Sequence, residues 1–177
     1  MLRFGIILGT LVVLADQTSK LAATRWLPGR SVVIVEDFFD LILVHNLGAA
    51  FGLFTGLPAL VRDMFLAGVA LGATVFILVL LHRADSRWSA TALGLVLGGA
   101  MGNLIDRLRL GWVVDFIHWH WHDLSWPVFN LADAAITVGV SMLIWDNLKS
   151  ERRVSPPADP AHWPEGSPPV DSKDKSP

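Results

Sequence analysis

The sequence predicts an all-α membrane protein of four transmembrane helices with a small β-sheet on its outer face. Three observations carry this. The 177 residues are 53% hydrophobic and only 17% charged, with a mean hydropathy of +0.50, too few charges to solvate an ordinary globular surface. The apolar residues fall in long runs: 64–81 has 18 residues without a charge, 90–105 has 16 with a single Asn, and 128–145 has 18 broken by Asn130 and Asp133. Such runs approach the roughly 20 residues needed to cross a bilayer as helix. Between the first and second spans, Ser31 to Val35 is β-branched and Leu41 to Val44 is a second strand candidate.

Span one is set at about 4–24. The Met1-Leu2-Arg3 start and the 12 apolar residues from Phe4 to Ala15 resemble a secretory leader, but Leu21 to Ala23 resume the pattern. A retained span carrying Asp16 and Lys20 is therefore expected. Spans two, three and four follow at about 58–81, 90–107 and 128–148. In span three Gly94, Gly98 and Gly102 recur every fourth residue beside Gly99, a spacing that lets helices approach closely in lipid. Four spans put both termini on one side, with Arg3, Arg83, Arg87, Lys149, Arg152 and Arg153. The positive-inside rule makes that side cytoplasmic. Residues 1–153 form the membrane domain on this reading. Residues 154–177 hold seven of the ten prolines and are expected to be a disordered cytoplasmic tail.

Composition excludes several functions. A net charge of −2 and a pI of about 6.3 provide no basic field for nucleic acid. The absence of cysteine removes thiol catalysis, Cys-ligated metal, disulfides and lipid anchoring through an N-terminal Cys. No Gly-x-Ser-x-Gly occurs, and Ser19 next to Lys20 points elsewhere on a helix.

What remains is a set of costly intramembrane polar groups. The topology brings Asp16, Lys20, Asn103, Asp106, Asn130 and Asp133 to one depth near the outer interface, with Asn46 and Asp115 in loops at that level. Asp16 and Lys20, four apart, read as an ion pair. Asn103/Asp106 and Asn130/Asp133 repeat an Asn-x-x-Asp pattern that sets amide beside carboxylate on a helix face. The competing readings are interhelical glue, a proton relay and a scaffold; a relay should spread carboxylates over several depths. Two aspartates in a partly dry pocket share a proton, so that one activates water while the other polarises a carbonyl. This predicts aspartic proteolysis with Asp133 as one partner and either Asp106 or Asp115 as the other. The His118-Trp119-His120-Trp121-His122 run reads as an aromatic segment at the outer interface, with Trp112 and Trp126 flanking it. Its rival reading is a strand with three His on one face, able to ligate metal with Asp115 or Asp123.

Five blocks together resemble lipoprotein signal peptidase, the signal peptidase II family of bacterial aspartyl membrane proteases. They are Asp16 to Lys20 (DQTSK), His45 to Gly52 (HNLGAAFG), Gly98 to Arg107 (GGAMGNLIDR), Val113 to Phe116 (VVDF) and Phe129 to Asp133 (FNLAD). The resemblance implies Asp115 and Asp133 as the catalytic pair. It makes Asp16, Lys20, Asn46, Gly48, Asn103, Asp106, Arg107 and Asn130 supporting or substrate-binding residues, and implies neither metal nor cofactor. It further implies a β-cradle over about 30–55 and a short interfacial helix within about 58–65. The implied enzyme is a monomer in the bacterial inner membrane, its site near the periplasmic face. The implied partners are membrane lipid and prolipoproteins bearing a diacylglyceryl-Cys, cut just before that Cys. The loop with Gly48, Ala49, Ala50 and Gly52 is flexible enough to act as a lid.

Overall fold

The computed structural model describes residues 1–48, 56, 58–122 and 124–151. Its elements run α1 (Leu2–Trp26), β1 (Ser31–Val35), β2 (Phe39–Asn46), α2 (Ala59–His82), α3 (Arg87–Leu110), β3 (Val113–Trp121), β4 (Leu124–Ser125) and α4 (Leu131–Glu151). All four helices are long and apolar enough to span a membrane. The strands form one antiparallel sheet in the order β1-β2-β3-β4. The expected tail at 154–177 and most of the expected lid, 49–52, lie outside the described residues.

α3 is the hub. Of its most apolar window 61% is buried inside the protein, against 22%, 22% and 17% for α1, α2 and α4. The outer helices instead leave Ile7, Leu11, Leu14, Val69, Phe76 and Ile144 exposed, as helices facing lipid should. Glycine sets the approach of α1 to α3. A Cβ at Gly94 would lie 2.8 Å from the Gly5 carbonyl oxygen, and one at Gly98 would lie 2.6 Å from that of Gly9. The four-residue spacing on α3 thus meets an equal spacing on α1. Gly98→Val should separate the two helices and cost about 1–3 kcal/mol; a thermal midpoint in detergent equal to wild type would contradict this packing.

The helix limits differ from the sequence expectations for local reasons. α3 begins at Arg87 because Ser86 Oγ accepts from Ser89 N (3.0 Å), an N-cap. It ends at Gly111, whose φ of +83° lets its N–H return to Arg107 O, a glycine stop. α4 begins at Leu131 rather than 128, so Asn130 is its cap and not a helical residue. Residues 59–82 form one unbroken helix; the short interfacial helix expected within 58–65 is absent as a separate element among the described residues. The His/Trp run is largely strand. β3 extends to Trp121, and His122 turns away with φ 51°. The sheet rests on the C-terminal end of α1, where Ala23, Leu27 and Phe116 form a buried cluster with Leu41, Leu43 and Ile117 against it.

Candidate active site

The site is assembled where α1, α3, the inner end of the sheet and the start of α4 meet. α1 contributes a cation between two carboxylates. Lys20 Nζ lies 2.9 Å from Asp16 Oδ2 and 3.0 Å from Asp106 Oδ2, and donates to Asn103 Oδ1 at 2.9 Å. All four residues are buried. Gln17 Nε2 donates to Asp106 Oδ1 (2.9 Å), to Asp16 Oδ2 and to Gly102 O. Gln17 lies in the DQTSK block, where its residue type alone assigns it no place in the site; the signal is its position one residue from Asp16 and three from Lys20.

Asp106 is fully engaged. Besides Lys20 and Gln17 it accepts from the backbone N–H of Val114 (3.1 Å), so it ties the end of α3 to the start of β3. Its oxygens are thus committed to a buried ammonium, an amide and a backbone N–H within the protein. The two candidates that the residue pattern leaves open thus differ in their partners: Asp106 is bonded to Lys20, Gln17 and Val114 N, whereas Asp115 lies within electrostatic reach of Asp133.

Residues 130–133 form a reciprocal cap. Asn130 Oδ1 accepts from Asp133 N (3.0 Å), and Asp133 Oδ2 accepts from Asn130 N (3.2 Å). The Asn-x-x-Asp spacing is therefore a capping box, with Asp133 near the positive end of α4. The next orphan donor, Ala132 N, is taken by Asp16 Oδ1 at 3.0 Å, which pins α4 to α1. Phe129 exchanges backbone hydrogen bonds with Ile117 (2.8 and 3.0 Å), holding the cap against β3. The Asn103/Asp106 pair behaves differently: each makes its bonds to other elements, and the two do not bond one another.

These attachments leave one continuous chain of hydrogen bonds. Asn130 Nδ2 donates to Asp115 Oδ1 (2.6 Å) and to Asn103 Oδ1 (3.1 Å), and Asn103 Nδ2 donates to Asp133 Oδ1 (2.8 Å). From β2, Asn46 Nδ2 donates to Asp115 Oδ2 at 2.9 Å, while its Oδ1 is fixed by Gly48 N at 3.1 Å. A bulge makes this possible. The β2–β3 register shifts between Leu41 and Val44, so Asn46 shares a face with Asp115 while Asp40 shares the opposite face with His118. A one-residue insertion re-aims every later side chain.

Asp115 is 1% exposed, and its carboxyl is pushed up to about 6, chiefly by burial and further by the Asp133 charge; the Asn46 and Asn130 amides oppose the rise. Asp133 is half-buried. Arg107 lies within electrostatic reach of Asp106, Asp115 and Asp133, and its guanidinium makes long contacts to Asn103 O (3.3 Å) and Gly48 O (3.5 Å). Asp16, Lys20, Asn46, Gly48, Asn103, Asp106, Arg107, Asp115, Asn130 and Asp133 thus fall in one constellation.

Residues 8–149 match the family model described as Signal peptidase (SPase) II. The chain belongs to the signal peptidase II family. It is an aspartic-type signal peptidase with four candidate membrane spans. The lipoprotein signal peptidase of Teredinibacter turnerae is 43% identical over 147 residues, covering 82% of this chain and 86% of that protein. That of Burkholderia vietnamiensis is 43% identical over 143 residues, covering 80% and 86%. A bacterial membrane enzyme solved in meso at 2.3 Å resolution superposes with a TM-score of 0.73 at 29% identity, over 88% of this chain and 94% of its own. A second, at 1.9 Å, gives 0.71 at 30% identity over 82% and 92%.

Proposed function

We propose that this signal peptidase removes the signal peptide from prolipoproteins whose Cys already carries diacylglyceryl, cutting just before that Cys, with Asp115 and Asp133 as its catalytic pair. The observation that carries the pair is the Asp115–Asn130–Asn103–Asp133 hydrogen-bonded chain with a raised Asp115 carboxyl at one end. Together the pair holds one proton. The ionised partner takes a proton from water as the water oxygen attacks the scissile carbonyl; the protonated partner gives its own to the carbonyl oxygen. Collapse of the tetrahedral intermediate returns a proton to the departing amine. Asn46, Asn103 and Asn130 fix the carboxylates, and Arg107 with the Gly48 segment borders the substrate. No cofactor is needed for this chemistry.

The relatives named above supply the substrate class. Acyl chains on the Cys, at about 0.8 kcal/mol per buried CH₂, would hold the scissile bond at the interfacial depth where the pair sits. Basic residues at one end of the bundle, Arg3, Arg83, Arg87 and Lys149, support cytoplasmic termini and a site facing the periplasm. All site residues come from one chain, so a monomer suffices. Residues 1–153 constitute the peptidase unit.

Purified protein in lipid should cleave a diacylglyceryl-modified prolipoprotein and leave its unmodified precursor largely uncut. Equal cleavage of both would refute the substrate assignment. In the same assay kcat/KM should fall above about pH 6, roughly tenfold per unit, as the shared proton is lost. A profile flat from pH 6 to 8 would rule out a shared proton.

A further inference from the structure

The outer end of the sheet carries a second cluster of ligating side chains, on the face opposite Asp115. His118 and His120 are two residues apart on β3, so both stand on one face, their rings stacked with centroids 4.9 Å apart. Asp40 is the cross-strand partner of His118, and its Oδ2 is 3.0 Å from His120 Nε2. One ligand atom from each of the three lies within 4.8 Å of the others. From β4, Ser125 Oγ meets His118 Nε2 at 2.8 Å, a hydrogen bond that fixes the ring. Among the described residues, Asp40 Oδ1 is a buried side-chain oxygen without a hydrogen-bond partner. A desolvated carboxylate oxygen left unmatched is costly, and a proton on His120 would satisfy only Oδ2.

We propose that Asp40, His118 and His120 form a binding site for a divalent transition-metal ion of the zinc class. Two imidazoles and one carboxylate are a donor set that zinc accepts with water in the fourth position. Calcium and magnesium prefer all-oxygen shells. Bonds of about 2.0–2.1 Å place tetrahedral ligand atoms about 3.4 Å apart, so closing the cluster takes small side-chain rotations. Ser125 supplies the outer hydrogen bond that orients a ligating His. The ion would clamp β2 to β3 on the reverse of the ladder that presents Asn46 and Asp115. It would add rigidity there and stand apart from the peptide-cutting chemistry.

The test uses the full chain, freed of any histidine tag, in detergent micelles. Titration with Zn²⁺ against a chromophoric chelator should show one equivalent bound per chain, and Co²⁺ in its place should give a visible absorption band. Asp40→Asn, His118→Gln and His120→Gln should each weaken Zn²⁺ binding at least about tenfold while retaining the metal-free cleavage rate. His45→Gln should bind as wild type does. Zinc should also raise the thermal midpoint of wild type and leave that of Asp40→Asn unmoved. Wild type that binds no stoichiometric Zn²⁺ overturns the site, independently of how any variant folds. So does binding that survives all three substitutions.

Discussion

Asp115→Asn and Asp133→Asn should each lower kcat by at least about 10³-fold while the protein still binds lipidated substrate, because each removes one half of a proton-sharing unit. Asp106→Asn should retain measurable turnover, since Asp106 bonds to Lys20, Gln17 and Val114 N and acts by position. Single-turnover cleavage at equal folded yield separates these outcomes; an Asp115→Asn enzyme that cuts at the wild-type rate would end the assignment. Stability gives a second readout. A carboxyl with pKa 3.8 unfolded and about 6 folded binds more protons in the folded state between those values. Its stabilising contribution is complete below pH 3.8 and is lost as pH climbs through 6, an effect of about 3 kcal/mol. Wild type should therefore lose stability from pH 4 to 7 more steeply than Asp115→Asn. The slope is the informative quantity, because Asn at 115 would turn a donor toward either the Asn46 or the Asn130 amide, shifting absolute stability at every pH. Parallel slopes would mean that Asp115 does not titrate in this range.

The spans were legible because lipid demands uninterrupted apolar helix, and a close helix approach at α3 because Gly94 and Gly98 announce it by spacing, although spacing alone did not name α1 as the partner. The strands at 31–35 and 41–44 were legible from β-branching, although β2 proved longer at both ends. What composition could not disclose was register. Whether Asn46 or Asp40 faces Asp115 depends on one extra residue in β2, and no local preference fixes that bulge. The Asn-x-x-Asp repeat misled for a related reason: the same spacing is a capping box when it precedes a helix and a pair of separate attachments when it lies within one. Asp106 and Asp115 were indistinguishable by residue type. Their difference lies in partners from α1 and the sheet, which only the tertiary arrangement supplies. Asp40 stood out in no local pattern, because its neighbours His118 and His120 lie some 80 residues away in sequence.

Replacing Lys20 should be the most damaging single change to the fold. Its side chain is 4% exposed and its ammonium sits between Asp16 and Asp106, whose side chains are 0% and 3% exposed. Removing one member of a buried ion cluster leaves uncompensated charge and typically costs about 3–5 kcal/mol. The damage should spread, since Asp16 also holds Ala132 N at the start of α4 and Asp106 holds Val114 N at the start of β3. Lys20→Met retains the length of the side chain and deletes its charge, so the loss is electrostatic rather than a cavity effect. Its thermal midpoint in detergent should fall well below wild type, and adding Asp106→Asn should recover part of the loss by removing one stranded carboxylate. This double-mutant cycle distinguishes a charge-compensating lysine from one that merely fills space. In the second case Lys20→Met would be nearly neutral, and Asp106→Asn would destabilise equally with or without it.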